Sequence, residues 1–223
     1  MDVQSVIDNV SRTLIDEGTV RRWSEVELIS HLNSAIRETI TQKPSAYTVT
    51  EHVQLASGYK QTAPTGSIFI HDIVCSSFGE GFSYQAITLI DRETLNDLIP
   101  TWMATPESVY ARHWMYNPAV DVDTYWIYPP ADGLGSVEMI YTSIPTELTD
   151  VTDTVPLDDM YVNALMEFML FRCFEKDADN PNAAVRAQAH FQLFANLLGV
   201  KLQIEQFMDP NIQADPNVKE VDN

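Results

Sequence analysis

Apolar residues in this chain of 223 residues change their spacing twice, and that sets the folds open to it. They recur at helical spacing up to about Gln42, alternate from Tyr47, and return to helical spacing from about Leu157. Each terminal block therefore presents an apolar stripe that must be covered, and a bundle built from both blocks covers both at once. The reading is an α+β fold: a discontinuous α-helical bundle from residues 1–46 and 151–208, an inserted antiparallel β module at 47–150, and an extended C-terminal arm at 209–223.

In the N-terminal block, Val3, Val6, Ile7, Val10 and Leu14 predict a short amphipathic helix, with Gly18 placed as its C-terminal cap. A second start signal is stronger. In Trp23-Ser24-Glu25-Val26-Glu27-Leu28, Ser24 is placed as N-cap and Glu27 completes a capping box, while Trp23 and Leu28 occupy staple positions. The stripe Leu28, Ile29, Leu32, Ala35, Ile36 and Ile40 then runs towards Pro44, which ends the helix.

Tyr47, Val49, Val53 and Leu55 share one face of a first strand. Ser57-Gly58 marks a turn, Ser67–Ser76 a second strand, Gly79 and Gly81 another turn, and Ala86–Ile90 a third strand. Asp91 caps a short helix that Pro100 stops. Strands resume at Tyr110–Tyr116, Thr124–Tyr128 and Val137–Thr142, divided by Asn117-Pro118, Pro129-Pro130 and Gly133/Gly135.

Beyond the polar link Thr146–Pro156, a helix at Leu157–Lys176 is expected to turn Met160, Ala164, Leu165, Phe168, Phe171 and Cys173 or Phe174 inward. Asp158 and Asp159 at its start and Lys176 at its end suit the helix dipole. Asn180-Pro181-Asn182 breaks the chain. A last helix, Ala183–Phe207, carries Val185, Ala189, Phe191, Leu193, Phe194, Leu197, Leu198 and Ile204, with Gly199 as a weak point. Asp209-Pro210-Asn211-Ile212 is then echoed by Asp215-Pro216-Asn217-Val218, turn-forming residues followed by one aliphatic. A segment so polar cannot bury itself: it is a disordered terminus, or an arm whose Ile212 and Val218 gain order in pockets of a partner.

The 32 acidic and 13 basic residues give a formal net charge of −19, and residues 47–150 are the most acidic part, with 13 acids against 3 bases. That excludes a surface gripping nucleic acid by phosphate neutralisation, which needs Lys and Arg. The chain has no apolar run of about 18 residues, and Met1-Asp2-Val3-Gln4 lacks a basic then apolar leader; a soluble protein made in a cytoplasm, with no membrane partner, is expected. Cys75 and Cys173 stand far apart with no CxxC spacing, so free buried thiols are expected.

No motif with catalytic spacing emerges. His31, His52, His71, His113 and His190 are scattered, and the glycines form neither a phosphate loop nor a nucleophile elbow, so no metal, cofactor or catalytic residue is assigned. Asp121 and Asp123, or Glu107 with either, offer the carboxylate pair of a glycoside hydrolase, yet such pairs arise by chance among 32 acids. Asp177-Ala178-Asp179-Asn180-Pro181-Asn182 begins like a calcium loop, but Pro181 occupies a ligand position, and a helix-ending turn is the simpler reading. Trp102, Trp114, Tyr125, Trp126 and Tyr128 fit a sugar or base-stacking platform. They fit the core of the β module better, since only Arg112 lies near enough to hold a phosphate.

Several segments, in order, carry a resemblance. They are Trp23 with Glu27-Leu28-Ile29, Leu32-Asn33, Ala35 and Arg37; then Asp91-Arg92, Leu95, Pro100-Thr101-Trp102 and Tyr128-Pro129-Pro130. The third group is Pro156-Leu157, Asp159, Tyr161, Ala164-Leu165, Phe171-Arg172, Lys176-Asp177-Ala178, His190-Phe191, Phe194 and Leu198-Gly199. Over roughly residues 20 to 202 the chain resembles the head-to-tail adaptor (connector) proteins of tailed bacteriophages, particularly short-tailed ones.

The resemblance implies a virion structural protein, assembled in the host cytoplasm and not an enzyme. Its copies would form a homo-oligomeric ring, dodecameric like the portal, that binds the portal protein, carries the tail nozzle (tail tubular protein) and extends the DNA channel. Related adaptors dock on the portal through a C-terminal extension, which makes Phe207, Met208, Pro210, Ile212, Pro216 and Val218 candidate contacts, although they lie outside the matched segments. Genomic DNA would pass without specific binding, repelled by the carboxylates of many acidic copies. Alternatives are a tail-nozzle or neck component, an acidic DNA-mimic inhibitor of a host enzyme, and an acid/base hydrolase using Asp121 and Asp123.

Overall fold

A computed structural model describes residues 1–16, 21–78, 83–177 and 182–208. In chain order the elements are α1 (Val3–Leu14), α2 (Glu25–Gln42), β1 (Thr48–Gln54), β2 (Gly58–Thr62), β3 (Ser67–Ser77), β4 (Tyr84–Ala86), β5 (Thr88–Leu89) and α3 (Arg92–Leu98). They continue with β6 (His113–Tyr116), β7 (Thr124–Ala131), β8 (Ser136–Ser143), α4 (Val162–Lys176) and α5 (Ala183–Met208). The fold is α+β. By contacts it divides into two compact units: Met1–Ala46 with the chain from Thr146 onward, and Tyr47–Pro145.

In the helical unit, α1 starts where the Asp2 carboxylate accepts the Ser5 N–H at 2.7 Å. It ends at Ile15, held in the left-handed region at φ 56°. That stop comes ahead of Gly18, which lies outside the described residues. A β-branched residue is costly in this conformation, and what holds it is local: the Asp16 N–H returns to the Ser11 carbonyl at 2.9 Å. The Asp16 carboxylate then accepts the N–H groups of Arg22 and Trp23 at 2.8 and 2.9 Å, drawing the chain towards α2. There Ser24 caps as the sequence predicts, its hydroxyl accepting the Glu27 N–H at 3.3 Å, with Trp23 and Leu28 both buried.

The first residues of the chain and the link ahead of α4 clasp one another through backbone. Val3 and Gln4 donate to the carbonyls of Asp153 and Val151, both at 3.1 Å, and Val155 donates to Met1 at 2.9 Å. Asn33 on α2 reads the backbone of Leu148 in both directions, each bond 2.9 Å. The centre of the unit is α4, which packs against α1, α2 and α5 and buries Leu165, Phe168, Met169, Leu170 and Cys173. One inward assignment fails: Asp159–Tyr161 is a 3₁₀ turn, and its tighter winding rotates Met160 out to 54% exposure while Tyr161 is buried.

The second unit holds two four-stranded sheets, ordered β1-β8-β3-β4 and β2-β7-β6-β5. Among the described strands every pairing is antiparallel except β5 with β6, so the module is mixed rather than purely antiparallel. The cause is α3, a crossover between β5 and β6 that lets the two strands run the same way. The region read as one strand at Ala86–Ile90 is instead β4 and β5, and β2 escaped the sequence reading. Its buried residue is a polar one, Gln61, whose amide ties back to the Ala56 carbonyl at 2.7 Å.

Pro129-Pro130, read as a break, lies inside β7, with Tyr128–Pro129 cis. The strand survives because β6 pairs only as far as Tyr128, and β2 shifts register between Gly58 and Lys60, so the missing N–H groups fall where the ladder is already interrupted. Ile70, Ile73, Val137, Met139 and Tyr141 of one sheet pack in one core with Trp114, Tyr125 and Ile127 of the other. Leu95 of α3 and Trp102 pack with Met115, against which Trp126 and Tyr128 lie partly buried.

Candidate assembly surface

One stripe of α5, formed by Ala183, Ala187, Phe194 and Leu198, is buried. These positions recur every three to four or seven residues, as one helical face requires. Phe194 stands 5.1 Å from Phe168, and Phe191 stands 5.2 Å from Phe171, so four rings join α5 to α4. The first pair is edge-to-face, an arrangement that adds about 0.5–1.5 kcal/mol beyond simple burial.

Polar contacts fix the register of the same pair of helices. His190 lies flat on Phe174, centroids 5.3 Å apart and planes 8° from parallel, and its Nδ1 is 2.6 Å from the Glu167 carboxylate. Near the other end of α5, Lys201 sits over the Tyr161 ring at 4.2 Å and donates to the Met160 carbonyl. Lys43, buried at the C-cap of α2, approaches the same ring at 5.1 Å. Tyr161 thus takes two cations, from the end of α2 and from α5.

The remaining circumference of α5 is unlike an ordinary solvent face. Among its 26 residues only Arg186, Lys201 and Glu205 carry formal charge. Val185, Leu193 and Val200 are 70%, 47% and 56% exposed, and Phe191 and Leu202 are exposed as well. At about 100° per residue, Phe191 and Leu202 fall on one side of the buried stripe and Leu193 and Val200 on the other. The sequence reading named most of these residues without assigning them to faces. The overlooked signal was the scarcity of charge: opposite the buried stripe stand the uncharged Gln188, Gln192, Asn196 and Gln203, and the flanks between are apolar.

The other residues singled out in the sequence are scattered. Phe207 and Met208 form the end of α5, whereas Pro210, Ile212, Pro216 and Val218 lie outside the described residues. Asp121 accepts the Asp123 N–H at 3.0 Å in an exposed turn, and hydrogen bonds from Thr124 and Asp123 hold its carboxyl below the usual carboxylate range. Glu107 accepts the Ser57 hydroxyl at 2.8 Å. A cleft of about 150 Å³ in the β module is walled by residues including Arg92, Tyr116, Asn117 and Trp126, and neither Asp121 nor Asp123 is among them.

Asp177 caps α4 and binds Arg22 at 2.5 Å, which is the helix-ending role; Ala178 to Pro181 lie outside the described residues. Trp102, Trp114 and Tyr125 are core residues, as the packing reading has it. Both cysteines are free. Cys173 is buried, and burial pushes its thiol up to about 12, whereas Cys75 is only half-buried beside Glu138.

A long helix with one buried stripe, exposed apolar residues on either side of it and few formal charges offers surface that an assembly partner would cover. The family model described as SU10 adaptor protein matches residues 1–214. The chain belongs to that family, the head-to-tail adaptors of short-tailed phages, and is a structural component of the virion that meets capsid or tail parts. No curated protein matches it.

Proposed function

We propose that copies of this chain form a ring between the portal and the tail nozzle, with the two bare flanks of α5 meeting the neighbouring copies on either side. The uncovered circumference of α5 is the observation that supports this reading. A ring needs two different complementary surfaces on each subunit, and flanks facing opposite ways across one stripe supply such a pair. Leaving Val185, Leu193 and Val200 in water costs roughly 25 cal/mol for each Å² of apolar surface, which a neighbour would recover.

The C-terminal arm, from Phe207 and Met208 through Pro210, Ile212, Pro216 and Val218, is the portal contact in this reading. Twelve copies match the portal, as the family resemblance implies, and the acidic composition keeps the duplex off the channel wall. Electron microscopy of the purified protein mixed with portal rings tests it. Closed rings beneath the portal are expected. Deleting Asp209–Asn223 should abolish portal binding with the melting temperature unchanged, and a truncated protein that still binds would refute the arm. Asp or Glu to Lys changes that make the lumen basic should slow DNA ejection without blocking assembly.

A further inference from the structure

The four edges of the two sheets are not equally protected. β4 and β5 have three and two residues, too short to template another strand, and β3, which β4 covers only at Cys75–Ser77, is broken by three register shifts against β8. β2 carries a register irregularity between Gly58 and Lys60 and places that lysine on the edge. Short strands, irregular pairing and edge lysines are the usual devices against unwanted pairing. β1 has none of these three; its one charge, Glu51, shares the face of Val49 and Val53 and is occupied by the Tyr141 hydroxyl at 2.8 Å. Its seven residues, Thr48-Val49-Thr50-Glu51-His52-Val53-Gln54, pair with β8 in unbroken register and contain neither lysine nor proline. Five of the seven are exposed.

The free side of this strand follows from the register. Leu55 donates to the Gly135 carbonyl at 3.0 Å, and alternation along an antiparallel pair then turns the N–H and C=O groups of Thr48, Thr50, His52 and Gln54 away from β8. Val49 and Val53 are only partly buried against the sandwich core, so a further strand would complete their cover. On the opposite face His52 sits across from Glu138, which in turn sits across from Cys75 of β3.

We infer that β1 is an open docking edge that accepts an extended segment of a different virion protein, adding a fifth strand to the β1-β8-β3-β4 sheet. The segment has aliphatic residues at the alternate positions that land on Val49 and Val53, and it is neutral or basic, because the β-rich region of residues 47–150 carries 13 acids against 3 bases. A second copy of this chain is the wrong occupant. Its other edges are blunted, and pairing β1 with β1 is a two-fold contact that closes at a dimer. The inference rests on the adaptor reading for its choice of partner.

Amide hydrogen exchange on the free chain and on the chain within purified phage particles tests the edge directly. The Thr50 and His52 amides should exchange quickly in the free chain and about two- to tenfold more slowly in particles, where each gains one hydrogen bond. Thr50→Pro and His52→Pro each remove one outward donor and leave the β8 ladder intact, so they should lower incorporation with near-normal melting. Equal exchange in both states would overturn the inference, with no reliance on any variant. Protection already present in the concentrated free chain would overturn it in favour of self-pairing. Absence of the wild-type chain from particles would overturn the adaptor reading and this edge with it, whereas its presence with fast amides overturns the edge alone.

Discussion

Phe194→Ala is the most direct probe of how α5 is held. The ring is fully buried and packs on Phe168 and Phe191, while among the residues of α5 whose burial is described only one further large side chain, Leu198, is buried. Truncating a buried Phe costs about 3–5 kcal/mol, made up of lost transfer energy and an unfilled cavity. Because that contact joins α5 to α4, the cost should fall on docking of α5 before it falls on the rest of the unit. At 1.4 kcal/mol per decade, amides of α5 should exchange roughly a hundred to a few thousand times faster, while those of α2 change far less. Residue-resolved hydrogen exchange reads this, with Leu193→Ser, on the bare flank, as a control within about 0.5 kcal/mol of wild type. Uniform acceleration across α1, α2 and α4, or no change in α5, would refute the picture of a helix held by a single stripe.

Three other outcomes are expected. Gly135→Ala should destabilise the β module by about 1–3 kcal/mol or more in chemical denaturation, because a Cβ there would lie 2.0 Å from the Val109 carbonyl oxygen, a backbone atom that cannot step aside. Ser24→Ala should cost about 1 kcal/mol through loss of the α2 cap, measurable by thermal unfolding. Burial and the hydrogen bond to Glu51 raise the Tyr141 hydroxyl from its ordinary 10 to about 12. The folded chain therefore keeps a proton that the unfolded chain releases, and this contribution, complete below pH 10, is lost as pH rises from 10 through 12. Tyr141→Phe should flatten the alkaline fall in stability across that window, and an unchanged slope would show that Tyr141 does not cause it.

Local signals carried much of the helical unit. Ser24, Asp91 and Pro44 act through neighbours one to four residues away, so the starts of α2 and α3 and the end of α2 were legible without any tertiary knowledge. The β module was less legible where the governing contact is distant. β2 has a polar inward residue, and Pro129-Pro130 is tolerated only because of what β2 and β6 do beside it. The end of α1 at Ile15 depends on Asp16 reaching Arg22 and Trp23, a bond between segments that no periodicity reveals.

The candidate surface divides in the same way. Spacing showed that the last helix is long and apolar, and the resemblance carried by Trp23, Trp102, Phe194 and the residues between them pointed to a phage adaptor, which the family match bears out. Which residues of α5 are spare could be decided only in three dimensions, because a sequence states how apolar a residue is but not whether another helix reaches it. The sequence by itself fixed caps, periods and charge, all properties of neighbours along the chain. Only the tertiary structure decided that one stripe of α5 is spent on α4, and that β1 stands at a sheet edge in unbroken register with β8, since both are differences between what is offered and what is met.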